Sequence, residues 1–92
     1  MNEPLSNVDA KRLIRDILTN GTFGFTGHAK AELAKDSLTT VDAVNVLRGG
    51  AVEFSELVDG TWRYRVRTNK ITVVVAFRSD DHLVVVTAWR NK

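Results

Sequence analysis

The spacing of hydrophobic residues changes near residue 50. Before that point it is helical. Leu13, Ile14, Ile17 and Leu18 recur at three- and four-residue intervals behind Ser6 and Asp9, an N-terminal capping pattern with aspartate in place of the usual glutamate. Asn20-Gly21 ends that helix. Phe23 and Phe25 then alternate with Thr22, Gly24 and Thr26 in a short extended piece. A second helix is predicted over about 28–35, with Ala29 and Leu33 one turn apart. Thr39 or Thr40 caps a third, with Val41, Val44 and Leu47 facing inward, and Arg48-Gly49-Gly50 stops it.

From Ala51 onward the period is two, with β-branched runs separated by turn residues. Four strands are predicted, at about 51–58, 61–68, 71–78 and 83–90. Asp59-Gly60 and Asn69-Lys70 fit two-residue hairpins, and Ser79-Asp80-Asp81-His82 a slightly longer connection. No repeat or linker interrupts the chain. The expected architecture is one α+β domain spanning residues 1–92, with N-terminal helices packed on a four-stranded antiparallel meander.

Strand 61–68 contains Trp62, Tyr64 and Val66 on one parity and Arg63, Arg65 and Arg67 on the other. An Asn69-Lys70 turn sets Val66 opposite Val73, Tyr64 opposite Val75 and Trp62 opposite Phe77, three apolar pairs on one face. A slip of one residue mixes the two sets, so this register is preferred. The other face then gathers the three arginines beside Thr72, Val74, Ala76 and Arg78. An Asp59-Gly60 turn places Glu56 opposite Arg63, where the two can form a surface ion pair. Strand 83–90 is apolar on both parities and reads as covered on both sides, which leaves the face of Trp89 and Arg90 open. Trp62 and Tyr64 read as core, although the tyrosine hydroxyl could instead reach into a site.

Adjacent guanidinium groups repel, and such a row is stabilised by an anion, phosphate above all. The competing reading is a solvated sheet face whose long side chains cover apolar surface. Charge distribution bears on this choice. Residues 1–47 carry five Lys or Arg against six Asp or Glu, whereas residues 60–92 carry seven against two. The positive potential therefore sits on the sheet-forming end, which favours a polyanionic partner.

Composition narrows the chemistry. The 92 residues include no cysteine, which excludes disulfides, thiol catalysis and iron–sulfur clusters and makes the cytoplasm the natural location. No apolar run approaches the roughly 18–20 residues of a membrane helix, and no secretory signal pattern opens the chain. Two distant histidines offer no zinc spacing, so no metal is expected. Gly49-Gly50 ends a helix rather than opening one, so it is no phosphate loop. His82, in a turn after two aspartates, reads as solvated. His28 lies where the extended piece meets the second helix, with Glu32 at i+4 on the same face. That carboxylate would orient the imidazole for general acid or base work. The structural alternative is a histidine closing the helix start with its ring against Phe25.

Several segments together resemble a known pattern. They are Phe25-Thr26-Gly27-His28-Ala29 with Glu32; Leu38-Thr39, Asp42, Leu47, Gly50 and Glu53; Tyr64-Arg65-Val66; Val73 to Phe77; and Val86-Thr87-Ala88-Trp89-Arg90. Over about residues 23–90 the chain resembles a small bacterial family of domains of unknown function, often encoded beside a YgiT-type zinc-finger, MqsA-like antitoxin. Leu33 stands where that family usually has methionine. The layout is similar to MqsR and, more loosely, to BrnT and RelE, compact α+β toxins of which MqsR and RelE cut messenger RNA.

The resemblance implies a RelE/MqsR-like fold and a type II toxin that acts as a metal-independent endoribonuclease without a cofactor. Its partners would be an RNA substrate and a cognate antitoxin of zinc-finger or helix-turn-helix type. His28 and Arg65 fall on the family's motif positions. Physical inference adds Glu32 to orient His28, and Arg67 beside Arg65 at the scissile phosphate. Arg63, Lys70, Arg78, Trp89 and Arg90 are expected to hold RNA. The alternative is a non-catalytic module whose arginine face binds nucleic acid or an acidic protein.

Overall fold

Helix α1 (Asn7–Asn20) begins where Ser6 accepts a hydrogen bond from the Asp9 backbone N–H at 3.1 Å; the computed structural model describes all residues from Met1 to Lys92. Ala10, Ile14 and Ile17 are fully buried along one stripe, flanked by half-buried Leu13 and Leu18. Gly21 ends the helix hard against the turn at Asp80-Asp81, where a Cβ would collide with the Asp81 carbonyl oxygen. That carbonyl accepts the Thr22 N–H at 2.9 Å and so starts the next strand.

Strand β1 (Thr22–Phe25) corrects the four-stranded expectation. It pairs in parallel with β5 (His82–Arg90), and the sheet has five strands in the order β1-β5-β4-β3-β2. The other members are β2 (Ala51–Val58), β3 (Thr61–Arg67) and β4 (Ile71–Ser79), joined as the expected antiparallel meander. The extended piece expected around Phe23 and Phe25 is thus a member of the sheet, since the edge of β5 satisfies its backbone.

Helix α2 (Gly27–Lys35) buries Ala29 and Leu33 as expected. Helix α3 (Thr40–Gly49) opens with a reciprocal capping box between Thr39 and Asp42. Its buried stripe is Ala43, Val46 and Leu47, a correction to the expected Val41, Val44 and Leu47. Val41 is 65% exposed. The chain offers α3 two apolar stripes, and the one containing small Ala43 takes the sheet side, where close approach is needed. Gly50 then passes over β3, with space for a Cβ limited by the Arg67 carbonyl at 3.0 Å.

Val66 pairs with Val73 and Tyr64 with Val75, as the hairpin register requires. Trp62 lies past the paired segment of β3 and β4. Its expected partner Phe77 packs on Tyr64 instead, ring centroids 5.0 Å apart. Asp59 and Gly60 both have positive φ, 49° and 78°, the backbone of a tight two-residue hairpin. Ser79 pairs with His82, so the last connection is also only two residues, shorter than expected.

The doubly covered strand is β4, buried from Thr72 to Phe77; β5 is half-buried on its second face. The core cluster joins the helices to Tyr64, Val66, Val73, Val75, Leu83, Val85 and Ala88 and omits Val74 and Ala76. All three helices therefore pack on one side of the sheet, and the arginine side has no helix over it.

Tyr64 joins the core to the N-terminal segment. Its hydroxyl donates to Glu3 Oε2 at 2.8 Å and accepts the Leu5 N–H at 3.0 Å, so the hydroxyl is committed away from the arginine side. Burial first, with the Glu3 carboxylate adding to it, pushes the phenol from its ordinary 10.0 up to about 12. The neutral form is favoured in the folded state. This stabilisation is complete below pH 10 and is lost as pH rises toward 12. Because the chain has a single tyrosine, phenolate absorbance reads this group alone. Ionisation is expected near pH 12 or together with alkaline unfolding; a midpoint at 10 in folded protein would contradict this assignment.

Candidate nucleic-acid interface

The side of β3 away from the helices displays Arg63, Arg65 and Arg67, and the strands beside it determine what each arginine meets. β2 contains a bulge at Glu53, between the Val52–Val66 and Phe54–Arg65 pairs. Alternation from Glu56 puts Phe54 on the arginine side, and the bulge turns Val52 to the core and aims Glu53 at Arg67, with Oε1 to Nη1 3.7 Å. Glu56 does lie opposite Arg63 in register, but the expected ion pair is absent; the arginine tied to a carboxylate is Arg67. Arg63 keeps a buried Nε–H with no acceptor.

A second bulge decides the face of Trp89. Val74 pairs with Thr87 and Val75 with Val85, so Val86 is the extra residue. Upstream, Leu83 and Val85 point to the core. Downstream the parity is reversed, so Ala88 enters the core while Thr87 and Trp89 turn to the arginine side. Arg65 lies between two aromatic rings, its guanidinium carbon 4.8 Å from the Phe54 centroid and 5.2 Å from that of Trp89. Phe54, Glu56, Arg63, Arg65, Thr87 and Trp89 surround a cleft of about 120 Å³ floored by Val74. Aromatic contact occupies the faces of the Arg65 guanidinium and leaves its N–H edge available to an acceptor.

The same reversal removes Arg90 from this surface. Its backbone N–H donates to Asp36 Oδ2 at 2.9 Å and its Nη2 to the Asp36 carbonyl at 3.2 Å, which ties the end of α2 to β5. Lys70 is exposed in the β3–β4 turn, and Arg78 is exposed at an irregularity near the end of β4. These two lie outside the cleft lining.

His28 occupies the first turn of α2 and is exposed. Thr26, rather than the histidine, caps the helix: its hydroxyl accepts the Ala29 N–H at 3.0 Å. The same hydroxyl donates to the Val86 carbonyl at 3.0 Å, at the bulge. Phe25 packs edge-to-face on Phe23, centroids 6.4 Å apart. Glu32 is half-buried and forms no ion pair with His28, so the expected orienting contact is missing. His82 is held by Thr22 Oγ1 at 2.7 Å.

The structure thus brings Arg63, Arg65 and Trp89 together, with Arg67 next in the row. It sets Arg90 aside and places His28 and Glu32 in the helical layer, across the sheet from the cleft, on a helix whose start is fastened to the cleft-bearing strand. Phe54, Val58 and Thr87 also line the cleft, outside the residues expected there. Phe54 follows directly from the Glu56–Arg63 register by alternation, whereas Thr87 requires knowledge of the bulge.

Helices on one side of a mixed five-stranded sheet and a cationic, aromatic cleft on the other define a small α+β domain with a surface suited to anionic ligands. Residues 25–90 match the family described as Domain of unknown function (DUF4258), and the chain belongs to that family. The matched span includes the Thr26 cap, the whole cleft and the Arg90 clasp. No curated protein and no solved structure matches the chain. No helix is long and apolar enough to cross a membrane.

Replacing Arg65 with alanine is expected to lower stability by about 1 kcal/mol, through two cation–aromatic contacts, and to alter Trp89 fluorescence. Arg67→Ala removes only an exposed pair and should cost about 0.5 kcal/mol or less. Urea unfolding of both variants checks the order; equal losses would rule out a special setting for Arg65.

Proposed function

We propose that this protein is the toxin of a type II toxin–antitoxin pair, a metal-independent endoribonuclease acting on RNA in the cytoplasm and neutralised by a zinc-finger or helix-turn-helix antitoxin. The observation that carries the reading is the cleft in which Arg65 is fixed between Phe54 and Trp89 while its N–H edge stays free, beside the unpartnered Nε–H of Arg63. Fixed guanidinium groups at developing phosphorane charge cost no reorganisation during reaction.

Cleavage without a metal has three requirements. A base removes the proton of a ribose 2′-hydroxyl, and the oxygen attacks the adjacent phosphorus. Cations stabilise the five-coordinate phosphorane. An acid then protonates the departing 5′-oxygen, leaving a 2′,3′-cyclic phosphate and a 5′-hydroxyl. Arg65 and Arg67, supported by Arg63, hold the phosphate in this scheme, with Arg78 and Lys70 along the flanking backbone. Trp89 holds Arg65 and supplies the aromatic wall of the cleft. His28 serves as base or acid. Because α2 lies on the helical side of the sheet, this role requires the RNA to pass around the sheet to reach His28.

A second reading is favoured by the setting of His28, which lies across the sheet from the cleft and has no carboxylate partner to orient it. On that reading the cleft belongs to a non-catalytic nucleic-acid-binding module.

RNA incubated with the protein in EDTA distinguishes the two. The toxin reading expects cleavage, reduced about a hundredfold or more by His28→Ala and by Arg65→Ala, each alone. Full activity in both variants refutes the residue assignment. Salt-sensitive binding without any cleavage establishes the binding module. Normal growth during expression counts against the toxin.

A further inference from the structure

The helical layer contains a second surface, unconnected with the cleft. Along α3, Val41, Val44, Asn45 and Arg48 recur at helical spacing on the side away from the core. With Phe23 and Phe25 of β1 they line a shallow groove. Val41 is 65% and Phe23 38% exposed. Arg48 also lines the adjoining depression with Arg15, and Arg15 lines a third with Arg12 and Lys11. The three form one continuous path, apolar at the β1 end and cationic at the α1 end. No aspartate or glutamate lines any of them.

The cations differ in how far they are committed. Lys11 Nζ donates to the carbonyls of Leu47, Arg48 and Gly50 and so closes the end of α3. Arg12 has a long contact of 3.5 Å with Asp9. Arg15 and Arg48 have no ion pair. Burial first, and then the charge of Arg15, lowers Lys11 below the ordinary lysine value, so the groove already bears like-charge repulsion that an anion would relieve.

We propose that this path binds an acidic, amphipathic polypeptide segment of another protein, its apolar side chains on Val41, Val44 and Phe23 and its carboxylates on Arg48 and Arg15. Charge complementarity selects this occupant. A second copy of the chain docked through the same path would offer no carboxylate to Arg15 or Arg48, because none lines it. Nucleic acid would satisfy the arginines but finds aliphatic Val41 and Val44 at the other end, and the two phenylalanine rings are set edge-to-face on one another. The proposal does not depend on the nuclease reading.

The test pans a displayed random-peptide library on the intact chain and follows the synthesised winners by anisotropy and by NMR. Winners are expected to combine branched or aromatic residues with carboxylates and to shift the Val41 and Val44 methyl signals. Affinity should fall about tenfold in Val41→Ser and in the Arg15→Gln/Arg48→Gln double variant, and remain unchanged in Arg65→Ala. The three groove positions are exposed, and thermal melts confirm folding of every variant. Failure to enrich any peptide, winners without carboxylates, or binding retained by both groove variants would overturn the proposal. An RNA oligonucleotide that shifts the same methyl signals as tightly would also overturn it, assigning the groove to nucleic acid. None of these outcomes depends on RNA cleavage, which the EDTA experiment reads separately.

Discussion

The Thr26 hydroxyl connects the two halves of this fold. It accepts the Ala29 N–H to start α2 and donates to the Val86 carbonyl, at the residue where β5 gains one position over β4. The bulge, the end of β1 and the beginning of α2 therefore meet at one side chain. Everything downstream in β5 follows from that extra residue: Ala88 enters the core, Trp89 reaches Arg65, and Arg90 turns to Asp36 at the far end of α2. Helix α2 is thereby held to β5 at both ends, with Ala29 and Leu33 buried between. Removing the bulge would exchange Trp89 and Arg90 between faces and abolish the cleft.

The arginine row poses a problem of like-charge repulsion, and the fold answers it differently at each position. Arg65 is stacked on two rings, which shields its faces without neutralising it. Arg67 meets Glu53 at a distance of 3.7 Å, a weak and screened contact. Arg63 faces Glu56 across the sheet without bonding to it. No arginine in the row is locked into a close, buried ion pair, so the face retains positive potential. A row evolved only to sit in water would not need an aromatic clamp on its middle member.

Much of this architecture could be read from periodicity. The meander, its register and the separation of arginines from core follow from alternation in β3, because a one-residue slip there would bury charge. The cap at Ser6 is legible from Asp9 three residues on, whereas the start of α3 leaves Thr39 and Thr40 as rivals until the Asp42 carboxylate is seen to close on Thr39. The errors have physical causes. β1 is four residues long and owes its existence to the edge of β5. The bulges at Glu53 and Val86 carry no mark in sequence, because Val86 is as strand-prone as its neighbours. Their effects reached the site: which carboxylate pairs with which arginine, and which of Trp89 and Arg90 lies on the cleft side. The phase of α3 is not legible because both of its stripes are apolar, and only packing against the sheet selects between them.

The stripe left outside the core has a consequence of its own. A helix in a small domain needs one apolar face, and Ala43, Val46 and Leu47 supply it for α3. Val41 and Val44 are then not required by the core. Together with exposed Phe23 and two unpaired arginines they lie on the layer opposite the cleft, with β4 buried on both sides between them. The sheet separates the surfaces sterically, so occupation of one leaves the other open. Any influence between them must travel through packed side chains. Phe25, which shares the groove with α3, adjoins the Thr26 cap, and that cap binds the carbonyl of Val86, the residue whose register determines the cleft.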